Sequence, residues 1–166
     1  MANLSRNLLR RALHAPTYLY RWGLAGVLGK RFLLLTHIGR RSGVAHQTVL
    51  EVMEYRTAGP EAVVMSGFGR NANWLRNIEA GPAPEVVVGN KRFGAEYRFL
   101  GDEEAAGVLR RYETQNRLMM PIIRRVLSRL VGWKYTGTDE ERRRLVNQLP
   151  LIAFRPRTLN GSSGSA

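Results

Sequence analysis

Between Thr36 and Gly43 the chain reads Thr-His-Ile-Gly-Arg-Arg-Ser-Gly. Two guanidinium forks and a hydroxyl sit between two glycines. Free backbone N–H groups in such a turn, with arginine beside them, make an anion site. His46 follows the turn and could add a donor to a phosphate. The segment lacks the Gly-Lys-Ser/Thr ending of a phosphate-binding loop, so nucleotide hydrolysis is not implied. A solvated hairpin tip is the plainer alternative.

A second candidate is Gly67-Phe-Gly69-Arg-Asn-Ala72, which matches the dinucleotide pattern G-x-G-x-x-A. A Rossmann fold would place an acid about 20 residues on. Gly89, Asn90, Lys91 and Arg92 stand there instead, and the next step reads as a hairpin. A strand-to-helix turn needing glycines is the favoured reading.

Other chemistry is poorly supplied. Cysteine is absent, which excludes thiolate nucleophiles, disulfides and thiolate-bound metal. The histidines are His14, His37 and His46. None has metal-ligand spacing, and no nucleophilic triad is evident. Redox chemistry would need a bound organic cofactor.

The chain has 166 residues and a formal charge of +13, from 26 basic and 13 acidic residues. Lysine occurs only at 30, 91 and 134, and the first acid is Glu51. A basic face attracts nucleic acid, anionic lipid or an anionic cofactor. Nucleic acid is disfavoured, because the scattered aromatics fit no recognised binding module. No apolar run approaches the roughly 20 residues of a membrane span, and no signal peptide is evident. A cytoplasmic protein is expected, with peripheral contact at the inner face of the membrane as an option.

These residues must be positioned by a small set of elements. Residues 4–14 and 17–28 read as basic helices, docked on the core or lying on an anionic membrane. Strands are expected at 32–38, 47–54, 61–66, 86–88, 92–100 and 151–154. Gly89-Asn90 is a two-residue hairpin signal. A short helix over 71–80 stops at Gly81-Pro82. Asp102-Glu-Glu opens a long helix, and Leu118–Val131 is a second, amphipathic one with Pro121 near its start. Met119 and Met120 suit it to cover an apolar ligand pocket, though ordinary core packing serves equally. Thr138 with Glu141 forms a capping box. The links between strands are too short for parallel crossovers. The fold class is therefore α+β: about six mostly antiparallel strands in a sheet or small barrel with peripheral helices. Residues 1–30 form a basic N-terminal segment, 31–157 the folded domain and 158–166 a flexible tail.

Leu35-Thr-His-Ile-Gly-Arg-Arg-Ser-Gly43, Thr48-Val-Leu50, Val64-Met-Ser-Gly67, Asn73-Trp-Leu-Arg-Asn77 and Gly81-Pro82 resemble, in order and spacing, the deazaflavin-dependent nitroreductase family. The likeness runs over residues 30–155. It implies a split β-barrel, coenzyme F-420 as cofactor, and hydride transfer from the reduced deazaflavin to an electron-poor organic acceptor of quinone, nitro or enone type. It further implies that Gly39, Arg40, Arg41, Ser42, Gly43 and His46 hold the cofactor's phosphate and acidic tail. The ring would lie against Thr48, Val49 and Leu50 on one strand and Val64, Met65, Ser66 and Gly67 on another. Trp74 and Asn77 would flank it. Ser66 is the expected donor near the reacting centre, and Tyr135 a proton donor or pocket wall.

The chain departs from the family's pattern at His46, where arginine is usual, at Val49, where proline is usual, and at Glu51, where some relatives carry an aromatic. The acceptor is expected to be a small apolar molecule. A non-catalytic deazaflavin carrier and a basic nucleic-acid-binding protein are the alternatives.

Overall fold

The computed structural model describes residues 29–157, residue 83 excepted. The helices expected over 4–14 and 17–28 and the C-terminal tail lie outside the described residues.

The described residues form six strands: β1 (Phe32–Ile38), β2 (Ala45–Arg56), β3 (Glu61–Met65), β4 (Glu85–Val88), β5 (Lys91–Phe99) and β6 (Leu151–Pro156). All neighbours are antiparallel, and the order β1-β2-β3-β6-β5-β4 closes into a barrel. The fold is the expected split β-barrel. It excludes the Rossmann reading of Gly67–Ala72, because every strand pairing among the described residues is antiparallel.

Two long strands bridge the halves of the barrel. The first part of β2 pairs with β1 and the second with β3, with a register break between Val52 and Glu54. Strand β5 pairs first with β4, then with β6. A bulge bends the strand that carries it, so β2 turns a corner at Met53. This strand runs from Ala45 to Arg56, longer at both ends than the alternating pattern suggested. Its polar ends are satisfied by ladder bonds and ion pairs, which alternation does not report. The Gly89-Asn90 hairpin is as expected, with Val88 opposite Lys91. Gly89 has φ +55°, as a glycine-first two-residue turn requires.

Alternate strand residues face opposite sides, and here both sides are dry. Ala62, Val64, Ile152 and Phe154 point into the barrel with Leu33, Leu35, Val86 and Val88. Val63, Leu151 and Ala153 point outward into a second core with Leu109, Leu127 and Leu145 from the helices. Burial on both faces explains why β3 and β6 read as continuous apolar runs.

The helices are α1 (Asn73–Ala80), α2 (Asp102–Gln115), α3 (Met120–Val131) and α4 (Asp139–Gln148). The expected starts at 71 and 118 are each displaced by a turn of 3-10 helix, Gly69–Asn71 and Arg117–Met119. Pro121 lies in the first turn of α3, and Gly132 ends it at φ +80°. The Thr138–Glu141 capping box is complete in both directions. Ion pairs fasten the start of α2 to the barrel: Arg98 reaches Glu61 at 3.0 Å and Glu104 at 2.8 Å, and Arg56 reaches both at 2.8 and 2.9 Å. Among the described residues no helix is long and apolar enough to cross a membrane.

Candidate functional site

A cleft of about 760 Å³ opens between the outer side of β1 and β2, the Gly67–Trp74 segment, and helices α2 and α3. That volume lies within the range of about 300–1,000 Å³ usual for small-molecule sites.

One end is the β1–β2 turn. The N–H of Gly39 donates to the carbonyl of Val44, and that of Gly43 to the carbonyl of Gly39, both at 2.8 Å. Gly43 takes φ +66°. The Val44 N–H donates to the Ser42 hydroxyl at 3.3 Å, and His46 Nε2 lies 3.5 Å from it. A Cβ on Gly39 would come within 2.5 Å of Ser42 Oγ and 2.8 Å of His46 Nε2. Glycine there lets both side chains fold over the turn.

Behind the turn runs a polar chain that sequence reasoning did not assemble. Asn77, buried on α1, accepts from the backbone N–H of Arg40 at 3.2 Å and from its guanidinium at 2.8 Å. With the carbonyl oxygen so occupied, the Asn77 amide donates to Nδ1 of buried His37 at 3.1 Å. His37 then carries its proton on Nε2 and donates to the Thr48 hydroxyl at 3.3 Å. Burial lowers the His37 pKa, and the neighbouring His46 adds to the effect. The neutral ring stacks on His46 with centroids 5.8 Å apart. The spacing of His37 and Asn77, 40 positions apart, carries no local signal. Only the closure of α1 on β1 joins them.

The middle of the cleft is apolar. Thr48, Val49 and Leu50 are half-buried along one wall, with Met65, Gly67 and Trp74 contributing. Ile122, Ile123, Val126, Leu127 and Leu130 of α3 form the facing wall. Sequence reasoning named this helix as a pocket cover but did not specify these residues. At the far end the buried Tyr112 hydroxyl donates to Glu51 at 2.9 Å, and Arg31 lies 3.8 Å from the same carboxylate. Burial first, then the Glu51 charge, raises the Tyr112 pKa. From His46 to Glu51 is five strand steps, roughly 17 Å.

Most of the expected cofactor residues meet here: Gly39, Arg40, Arg41, Ser42, His46, Thr48, Val49, Leu50, Met65, Gly67, Trp74 and Asn77 all line the cleft. Four do not. Gly43 shapes the turn from behind, and Val64 is wholly buried inside the barrel. Ser66 is also wholly buried, its hydroxyl donating to the Gly69 carbonyl at 2.7 Å. Tyr135 lies in the second core and donates a very short hydrogen bond to Glu113. Burial and that carboxylate raise the Tyr135 pKa, which makes it a poorer acid than the proton donor expected from sequence. The two residues expected to be catalytic are thus held away from the cleft by closed hydrogen bonds. Neither bond is visible in sequence, since each partner is fixed by packing.

The turn suits an acidic ligand. Arg41 is exposed and has no hydrogen bond or ion pair among the described residues. Arg40 is aimed by Asn77. No cluster of metal-ligating side chains occurs among the described residues.

Residues 20–120 match the model of the F-420H(2)-dependent quinone reductase family. The chain belongs to that family. An F-420H(2)-dependent quinone reductase is an oxidoreductase, and its cofactor is the reduced deazaflavin. The donor set described above fits that group: arginines and a hydroxyl for its anionic portion, and a long apolar wall for a flat ring.

Two solved structures show the range of similar chains. An F-420-H2 dependent reductase (FDR-A) is 16% identical, with 77% of this chain and 96% of that one covered and a TM-score of 0.46. A pyridoxamine 5'-phosphate oxidase-related, FMN-binding protein from Nostoc punctiforme is 14% identical, with 91% and 79% covered and a TM-score of 0.41. No curated protein matches the chain.

Proposed function

We propose that the cleft holds coenzyme F-420 with its phosphate and acidic tail on Arg40, Arg41, Ser42 and His46, and directs it toward an apolar, electron-poor acceptor of quinone, nitro or enone type. The observation that carries this reading is the continuity of the cleft from a cationic turn to an apolar helix wall.

When bound, the reduced cofactor supplies the hydride. The residues supply placement. Arg40, held by Asn77, makes charge-assisted contacts that orient the anionic end. Thr48, Val49 and Leu50 support the ring, with Trp74 and Asn77 at its flank. The α3 side chains exclude water and hold the acceptor against the exposed ring face, so that the reacting atoms meet in a near-attack geometry. Tyr112, its hydroxyl donating to Glu51, closes the far end of the cleft. Ser66 and Tyr135 act through the backbone they brace.

The test is a titration of the purified chain with F-420, beside FMN and NADPH, followed by oxidation of the reduced deazaflavin with quinone, nitroaromatic and enone acceptors. Saturable binding of F-420 alone, with turnover of at least one acceptor class, supports the proposal. Binding without turnover identifies a carrier. Preference for FMN or NADPH overturns the cofactor placement.

A further inference from the structure

Helix α3 and the turn before it expose more apolar surface than the cleft uses. Leu118 is 97% exposed, Met119 48%, Ile122 59% and Val126 36%. Ile122 and Val126 also line the cleft, so they form part of its lip. Leu118 and Met119 lie beyond it.

The same segment is cationic without relief. Arg117, Arg124, Arg125, Arg129 and Lys134 fall between Glu113 and Asp139, and no acidic residue occurs in that interval. Among the described residues none of the five has an ion pair, whereas Arg98, Arg110, Arg142 and Arg143 are all paired. Arg125 and Arg129 follow Ile122 at i+3 and i+7, so they share its side of the helix. The face is therefore an apolar ridge set among uncompensated arginines.

We propose that this face docks on an anionic phospholipid bilayer. Helices that lie in a bilayer surface combine an apolar ridge with flanking arginine or lysine, and each basic group near an anionic leaflet adds attraction. Leu118, Met119 and Ile122 enter the headgroup boundary, and Arg125 and Arg129 meet lipid phosphates. Charge disfavours the other occupants. A second copy would set one cationic face against another. Residues 1–28 carry Arg6, Arg10, Arg11 and Arg21 and no acid, so that segment is repelled as well. Docking in this way turns the lip at Ile122 and Val126 toward the lipid, and an acceptor dissolved there reaches the cleft without crossing water. This last consequence rests on the proposed function; the docking itself does not.

The experiment is co-sedimentation of the full chain, without cofactor, with vesicles of phosphatidylcholine alone or mixed with phosphatidylglycerol. Binding is expected only to the anionic vesicles and is weakened by salt. Two variants are compared: Leu118→Ser alone, and Leu118→Ser with Arg125→Glu and Arg129→Glu. Each charge lost weakens partitioning by roughly fivefold, so the triple variant loses binding more than tenfold. F-420 affinity and turnover of a water-soluble acceptor stay unchanged and certify its fold. Retained vesicle binding by the triple variant, equal binding to neutral vesicles, or no binding by the parent chain would overturn the proposal. A failed F-420 titration with intact vesicle binding would instead overturn the reading of the cleft.

Discussion

Asn77 and His37 form a hydrogen-bonded pair in which the amide donates to Nδ1 at 3.1 Å, while the same side chain accepts twice from Arg40. One buried amide thus sets both the aim of an arginine and the tautomer of a histidine. Asn77→Leu leaves the Arg40 guanidinium without its partner and takes away the donor to His37 Nδ1, while the His37–Thr48 bond remains. The expected result is a rise in the F-420 dissociation constant of about tenfold to a hundredfold, from loss of a hydrogen bond to a charged group worth about 1.5–3 kcal/mol. The titration checks it, with melting temperature as control.

Protonation of His37 should cost stability below neutral pH. Its native pKa lies under the ordinary 6.5 because the ring is buried and His46 is near. The unfolded chain therefore binds the proton first as pH falls, and stability rises with pH across that window. The contribution is complete above 6.5 and is lost as pH drops toward the lower native value. Urea melts across this range should show the slope, and His37→Gln should flatten it.

The carboxylates act in a separate, more acid window. Arg98 and then Arg56 hold the Glu104 carboxyl at about 2, against an ordinary 4.5. Its contribution is present above 4.5 and disappears as pH falls toward 2. Because about a third of the side chain is exposed, screening reduces its worth. Glu104→Gln should cost about 1 kcal/mol near neutral pH and remove part of the acid transition.

Tyr135→Phe and Ser66→Ala test the reassignment of the two expected catalytic residues. Each removes one buried hydroxyl bond, worth about 1 kcal/mol. Each should lower the melting temperature while turnover per folded molecule changes less than about twofold, within an effect on ΔG‡ of about 0.4 kcal/mol. A large fall in turnover without loss of stability would return them to the chemistry.

Gly39→Ala should act oppositely. The new methyl meets Ser42 Oγ and His46 Nε2 at 2.5 and 2.8 Å, which forces both side chains off the turn. Cofactor binding should weaken at least tenfold, while stability changes by no more than about 1–2 kcal/mol, since the displaced side chains are exposed. Isothermal titration beside a thermal melt separates the two effects.

Much of this architecture was legible in the residues themselves. Alternation located β2, and turn chemistry located β3 and β6, which are continuous apolar runs bounded by glycine, proline and charge. The β1–β2 turn that lines one end of the cleft was legible because arginine, serine and glycine lie adjacent in the chain. The Asn77–His37–Thr48 chain was not, since its members come from three elements and meet only when α1 packs on the β1–β2 hairpin. Ser66 and Tyr135 misled for the same reason. A hydroxyl's type is written in sequence, but whether it is already bonded depends on Gly69 and Glu113, which folding brings to it.

The apolar wall opposite β2 hangs between the turn at Arg117 and the left-handed Gly132. The arginine-bearing β1–β2 turn belongs to a different hairpin, more than 70 residues earlier in the chain. Under the proposed function, a change in the α3 side chains Ile122, Ile123 and Val126 would alter the acceptor's wall and leave the turn proposed for the reductant in place.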